Sequence, residues 1–255
     1  MRKKKLIIGN WKMNPVKSAI AKTHFLAVKK GIQTYKNVDV AVAVPFVYLA
    51  ELGKLVSARL SLAAQNAAAE KEGPFTGEIS PDMLAGCKVT YSILGHSERR
   101  ALGETNELIS RKIKASLKAK LTPVLCVGET DREHGMWHLG SVKTQIEECL
   151  AGVPKAALKN IVIAYEPVWA ISSTPGHKDA RPSDFEEMRI YIRKVLTDMV
   201  GTAADETAII YGGSVDETNA ASFLVEGGAD GLLPGRASLT PKKFIKIIEI
   251  ANAIR

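Results

Sequence analysis

Eight short apolar runs, each followed by a longer segment of helical spacing, constrain the fold of this chain more than any other feature. The runs are Leu6 to Trp11, Val38 to Val44, Leu60 to Gln65, Val89 to Gly95, Pro123 to Val127, Ile161 to Glu166, Ala208 to Gly212 and Asp230 to Leu233. Several are apolar almost throughout, which suits strands buried on both faces of a parallel sheet under helices. Helix starts lie between them. Ser80-Pro81 and Thr240-Pro241 each offer an N-cap followed by proline, and Ser183 with Glu186 reads as a capping box. Behind that box Phe185, Met188, Ile192, Val195 or Leu196, and Met199 form an apolar stripe, repeated in the last segment by Phe244, Ile247, Ile248, Ala251 and Ile254. With 255 residues and no linker, the expectation is an α/β chain forming a single (β/α)8 barrel domain over 1–255, eight parallel strands surrounded by helices. An open doubly wound sheet would usually carry G-x-G-x-x-G after its first strand, and Gly9-Asn10-Trp11-Lys12 does not match that pattern.

Composition narrows the function classes. No segment approaches the roughly 20 apolar residues that span a bilayer. The basic start, Met1-Arg2-Lys3-Lys4-Lys5, lacks the apolar length and cleavage site of a secretory signal. Cys87, Cys126 and Cys149 are widely spaced with no metal-ligand histidines nearby, and read as small buried residues in a reducing compartment. A soluble cytoplasmic protein is expected. The net charge of +8 fits either a nucleic-acid face or a site that attracts small anions. The nearest clusters, Arg111-Lys112, Lys118, Lys120 and Lys242-Lys243, have no interleaved aromatics, so they read as solvated surface and no nucleic-acid partner is expected.

In a barrel, polar residues at the ends of the runs converge on the C-terminal face of the strands. Here they are Asn10 and Lys12, Gln65 and Asn66, His96 with Ser97 and Glu98, Glu129, Glu166, Gly212-Gly213-Ser214, and Gly235-Arg236. The loops after the last two strands commonly bind phosphate through backbone N–H groups. Taken alone, Glu166 reads as an ion-paired strand end and His96 as a structural histidine. Together with Lys12, whose stem Trp11 can pack, they suit proton abstraction next to a carbonyl. One carboxylate takes a carbon-bound proton while imidazole and ammonium stabilise the enediolate oxygens. No metal or other cofactor is called for, and no G-x-S-x-G elbow points to serine hydrolysis.

Gly9-Asn10-Trp11-Lys12-Met13-Asn14, Ala64-Gln65-Asn66, Gly77-Glu78-Ile79-Ser80, Gly95-His96-Ser97-Glu98-Arg99-Arg100, Cys126-Val127-Gly128-Glu129, Ala164 to Ala170 and Tyr211-Gly212-Gly213-Ser214-Val215 resemble the triosephosphate isomerase family, in its order and through the whole chain. The resemblance implies interconversion of D-glyceraldehyde 3-phosphate and dihydroxyacetone phosphate, in glycolysis and gluconeogenesis. It makes Glu166 the base, His96 a neutral electrophile, and Lys12 and Asn10 substrate-binding and oxyanion-stabilising groups. Ser172, Ser214, Gly235 and Arg236 fall at the phosphate-binding positions. The segment Ala67 to Glu78, with Pro74, Phe75 and Thr76, looks like the loop the family inserts into a partner, implying a homodimer.

Two departures stand out. Where the family's lid usually reads A-I-G-T-G-K-T, Ala170-Ile171 is followed by Ser172-Ser173-Thr174-Pro175-Gly176-His177 and on to Pro182, a longer loop without both tip glycines. Side chains at Ser172 or Thr174 would be costly if closure required positive φ there. Leu233-Pro234-Gly235-Arg236 replaces an aliphatic residue and two glycines; Pro234 removes one donor, and Arg236 either adds charge to the site or points to solvent. The competing readings are a phosphate-sugar isomerase with altered lid specificity, and a non-catalytic basic barrel that binds an acidic partner.

Overall fold

The apolar runs are strands, and their side chains sort by parity. The computed structural model describes residues 4–132, 137–171 and 178–254. Each strand pairs in parallel with the next and the eighth returns to the first, closing a barrel. The first half runs β1 (Lys5–Asn10), α1 (Ser18–Gly31), β2 (Val38–Val44), α2 (Phe46–Leu52), β3 (Ser61–Ala64), α3 (Pro81–Gly86), β4 (Val89–Leu94), α4 (Ser97–Ala101) and α5 (Asn106–Lys118). The second runs β5 (Thr122–Val127), α6 (Trp137–Cys149), β6 (Val162–Tyr165), α7 (Pro182–Val200), β7 (Ala208–Tyr211), α8 (Ala220–Val225), β8 (Gly231–Leu232) and α9 (Pro241–Ala253).

Along β2, Val40, Val42 and Val44 belong to the layer under the helices, whereas Ala41 and Ala43 belong to the barrel interior. On β6, Ile163 and Tyr165 face out and Val162 and Ala164 face in. This is the strand period of two, apolar on both faces, which is why the runs do not alternate. Alanines recur inside because an eight-stranded lumen is only wide enough for packed side chains. Each large aliphatic buried in the outer layer contributes about 1.5–3 kcal/mol.

Helix boundaries show where local signals compete. Ser80 caps α3 as expected, accepting from the Met83 N–H at 3.3 Å. Phe185, Met188, Ile192, Val195 and Leu196 are buried along α7 as their spacing predicts. The Ser183–Glu186 capping box does not form. Pro182 takes the first helical position, so the cap moves back to Arg181, whose N–H donates to the Asp184 carboxylate at 2.7 Å. Pro241 likewise opens α9, but Thr240 makes no side-chain cap hydrogen bond.

The expected surface cluster at Arg111-Lys112 also needs correcting. One residue along a helix turns the side chain by about 100°, so Arg111 is exposed while Lys112, beside buried Ile109 and Ile113, is 3% exposed. Its Nζ lies 2.6 Å from Glu104 Oε1 and 3.0 Å from Asn66 Oδ1, and Arg99 Nε lies 2.7 Å from the same Glu104 oxygen. Burial pushes the Glu104 carboxyl up, but hydrogen bonds and charge from Lys112 and Arg99 outweigh it and hold the group below its ordinary range. Cys126 and Cys149 are buried as expected, Cys87 is half-buried, and all three are free thiols.

Candidate active site

Parity carries Glu166 into the mouth of the barrel. Val162 and Ala164 point inward on β6, and Glu166, two residues further, follows them and is 2% exposed. Its backbone is held on both sides, with its N–H donating to Val127 O at 2.8 Å and the Tyr165 carbonyl accepting from Gly212 N–H at 2.8 Å. Gly212 has to be glycine for packing reasons. A Cβ there would stand 2.8 Å from Glu166 Cγ. Below the carboxylate, burial pushes the Cys126 thiol up, and the neighbouring Glu166 charge adds to the effect.

His96 ends the β4 run and caps α4. Its Nδ1 accepts the Glu98 N–H at 3.1 Å. An accepting Nδ1 makes the ring neutral and puts its proton on Nε2, and Nε2 lies 3.4 Å from Glu166 Oε1. The other carboxylate oxygen of Glu166 accepts the Ser97 N–H at 3.2 Å. Imidazole and carboxylate therefore meet in a buried place, 7% and 2% exposed, where electrostatic interactions are strong.

Lys12 is held in a strained backbone, with φ of +51°, which is uncommon for a residue with a Cβ and typical of functional positions. Gln65 Nε2 holds the strain, donating to Lys12 O at 2.8 Å and Ala43 O at 3.0 Å, while Asn10 Oδ1 accepts the Lys12 N–H at 3.0 Å. Lys12 Nζ pairs with Glu98 Oε1 at 2.6 Å. Its stem passes over Gly235, whose position would bring a Cβ within 3.7 Å of Lys12 Cε. Trp11 is buried, donating Nε1–H to Ser238 O at 3.1 Å.

Asn10, Lys12, His96, Glu166, Ser214, Gly235 and Arg236 all line one cavity of about 980 Å³. The Ser214 hydroxyl donates to Ala170 O at 2.8 Å. Pro234 contributes its carbonyl, which accepts the Asn10 N–H at 2.9 Å and seals the β1–β8 seam. Arg236 is exposed at the rim and opens a short 3-10 turn, Arg236–Leu239. Ser172 lies outside the described residues. Glu98 as the partner of Lys12, the Ser97 amide as a donor to Glu166 and Gln65 as a backbone clamp are roles that the residue pattern alone does not assign. The spacing of Glu98 two residues after His96 was the available signal.

A closed parallel barrel with a buried carboxylate facing a neutral imidazole, a lysine beside them, a Gly-Gly turn after its seventh strand and Gly235 after its eighth is an enzyme of the proton-transferring barrel class. The family model for triosephosphate isomerase matches residues 5–251. The triosephosphate isomerase of Carboxydothermus hydrogenoformans is 43% identical over 254 residues, covering 97% of this chain and 98% of that one. That of Chlorobium phaeobacteroides is 42% identical over 259 residues, covering 98% and 99%. The crystal structure of triosephosphate isomerase from Bartonella henselae superposes with a TM-score of 0.85 at 30% identity, covering 97% of this chain and 98% of that chain. The chain belongs to the triosephosphate isomerase family.

Proposed function

We infer that the chain interconverts D-glyceraldehyde 3-phosphate and dihydroxyacetone phosphate through an enediolate, as a step of glycolysis and gluconeogenesis. The observation that carries the reading is the buried meeting of Glu166 with the Nε2–H of a neutral His96. Glu166 takes the proton from the carbon next to the carbonyl and returns it to the neighbouring carbon. His96 Nε2–H, with Asn10 and Lys12, stabilises the charge that develops on the two oxygens in between. Lys12 exchanges its Glu98 partner for the anionic substrate, whose phosphate lies against Ser214 and the Gly235 and Arg236 amides. Ser172 joins them on the strength of the sequence resemblance. A binding-only barrel is not favoured, since such a role requires none of this constellation.

The whole chain, 1–255, acts as one domain and as a homodimer in the cytoplasm. Met13, Val16, Phe46, Val47, Phe75, Met83 and Leu102, exposed apolar residues that all follow β1 to β4, support a partner surface that includes the loop 67–78. Three free thiols fit a reducing compartment, and no helix among the described residues is long and apolar enough to cross a membrane. The direct test is an isomerase assay of the wild type beside Glu166→Gln. Activity is expected in the first and its loss, with an unchanged circular dichroism spectrum, in the second; near-normal turnover by the variant would overturn the assigned base.

A further inference from the structure

We infer that Arg132 is a positioning residue for Glu166, acting through the buried carboxylate of Glu129; the inference rests on Glu166 being the base of the proposed reaction. Glu129 is 2% exposed, and three donors converge on its Oε1: Tyr165 OH at 2.7 Å, Trp169 Nε1 at 2.8 Å and Arg132 Nε at 3.0 Å. Tyr165 directly precedes Glu166 and Trp169 follows it by three residues. The Glu129 backbone carbonyl also accepts the Val168 N–H at 3.0 Å. One residue thus tethers the chain on both sides of the base.

A carboxylate buried this deeply keeps its charge only with an opposite charge in contact, and Arg132 provides it. The guanidinium does more than neutralise. Its Nη2 donates to Tyr165 OH at 3.2 Å and to the Asp184 carbonyl at 3.1 Å, Nη1 lies 3.4 Å from Asp184 Oδ1, and Cζ stands 5.4 Å from the centre of the Trp169 ring. Its planar fork and its face are both in use, which a lysine does not reproduce. Through it the turn carrying Glu166 is braced against the first turn of α7. Arg132 touches neither Glu166 nor the cavity, so its effect reaches the chemistry only through the placement of that turn.

The test is a set of kcat and KM values for Arg132→Met, Arg132→Lys, Glu129→Gln and the double variant Arg132→Met/Glu129→Gln. Misplacing a catalytic group by about 1 Å costs roughly 100-fold, so Arg132→Met is expected to lose about that factor in kcat with KM little changed. Arg132→Lys should fall between it and the wild type. Because both residues act through one tether, the double variant should be no slower than the slower single variant. A near-normal kcat for Arg132→Met overturns the inference, as does a double variant whose loss is the product of the two single losses. If Arg132→Met does not fold, Arg132→Lys and Glu129→Gln decide the matter, since each must lower kcat while leaving KM in place. An inactive wild type overturns the proposed reaction and this inference together, whereas an active wild type with an unimpaired Arg132→Met overturns this inference alone.

Discussion

His96 Nε2 stands 3.4 Å from Glu166 Oε1, and the two side chains reach each other from strands β4 and β6, which are not neighbours in the barrel. The inward parity of β6 delivers the carboxylate, and the capping bond from the Glu98 N–H to Nδ1 sets the tautomer that faces it. Replacing His96 with alanine removes the Nε2 donor. A kcat loss of about 100- to 1,000-fold is expected, the usual effect of deleting one oxyanion donor, with the melting temperature close to that of the wild type. Steady-state kinetics and a thermal melt check both.

Gly212 is the space that Glu166 occupies. Gly212→Ala would press a Cβ to 2.8 Å from Glu166 Cγ, so kcat should fall about 100-fold. Gly140→Ala is the control. It meets nothing within 4 Å on α6, and the gain in helix propensity should stabilise the protein by up to about 1 kcal/mol without altering turnover.

Gln65 holds Lys12 in its positive-φ conformation with two hydrogen bonds, to Lys12 O and Ala43 O. At about 1 kcal/mol each, their loss in Gln65→Ala lets the Lys12 turn relax. KM should rise by about 10- to 30-fold, while Gln65→Glu, which keeps the length but not the donor, should resemble Gln65→Ala. Substrate-saturation curves give the answer, and an unchanged KM would count against the clamp.

The Glu104 carboxyl titrates below its ordinary value in the folded protein. A depressed folded pKa contributes stability above the unfolded value of about 4.3, and that contribution disappears as pH falls through the folded value. The difference in melting temperature between wild type and Glu104→Gln should therefore be full at pH 6 and narrow below about pH 4. Lys112→Met removes one of the two cations on the buried carboxylate while Arg99 stays paired to it, and should cost about 1.5–3 kcal/mol at neutral pH.

Much of this was legible in the residues. The run Val38 to Val44 is the strand as observed, because a segment apolar on both faces has no competing structure in a barrel this small. Asn10, Lys12, His96 and Glu166 were recognisable because each stands at or just past the end of such a run; parity sends Asn10, Lys12 and Glu166 to one mouth, whereas His96, which shares the outward parity of Leu94, is turned in by Gly95 at φ of +70°. What was not legible depends on contacts between distant segments. Lys112 looked like surface beside Arg111, yet its burial is decided by Glu104 and Asn66, 8 and 46 residues away. The α7 cap moved from Ser183 to Arg181 because Pro182 fits the first helical position and Asp184 reaches back. Glu98 and Gln65 acquire their tasks only once the barrel brings both against Lys12.

The central claim is that Glu166 moves a carbon-bound proton of a triose phosphate. Proton NMR of D-glyceraldehyde 3-phosphate with the enzyme in deuterated water reads it most directly. Rapid formation of dihydroxyacetone phosphate with carbon-bound deuterium and little methylglyoxal is expected, all of it lost in Glu166→Gln. Absence of isomerisation by the wild type, or elimination to methylglyoxal and phosphate as the main course, would contradict it.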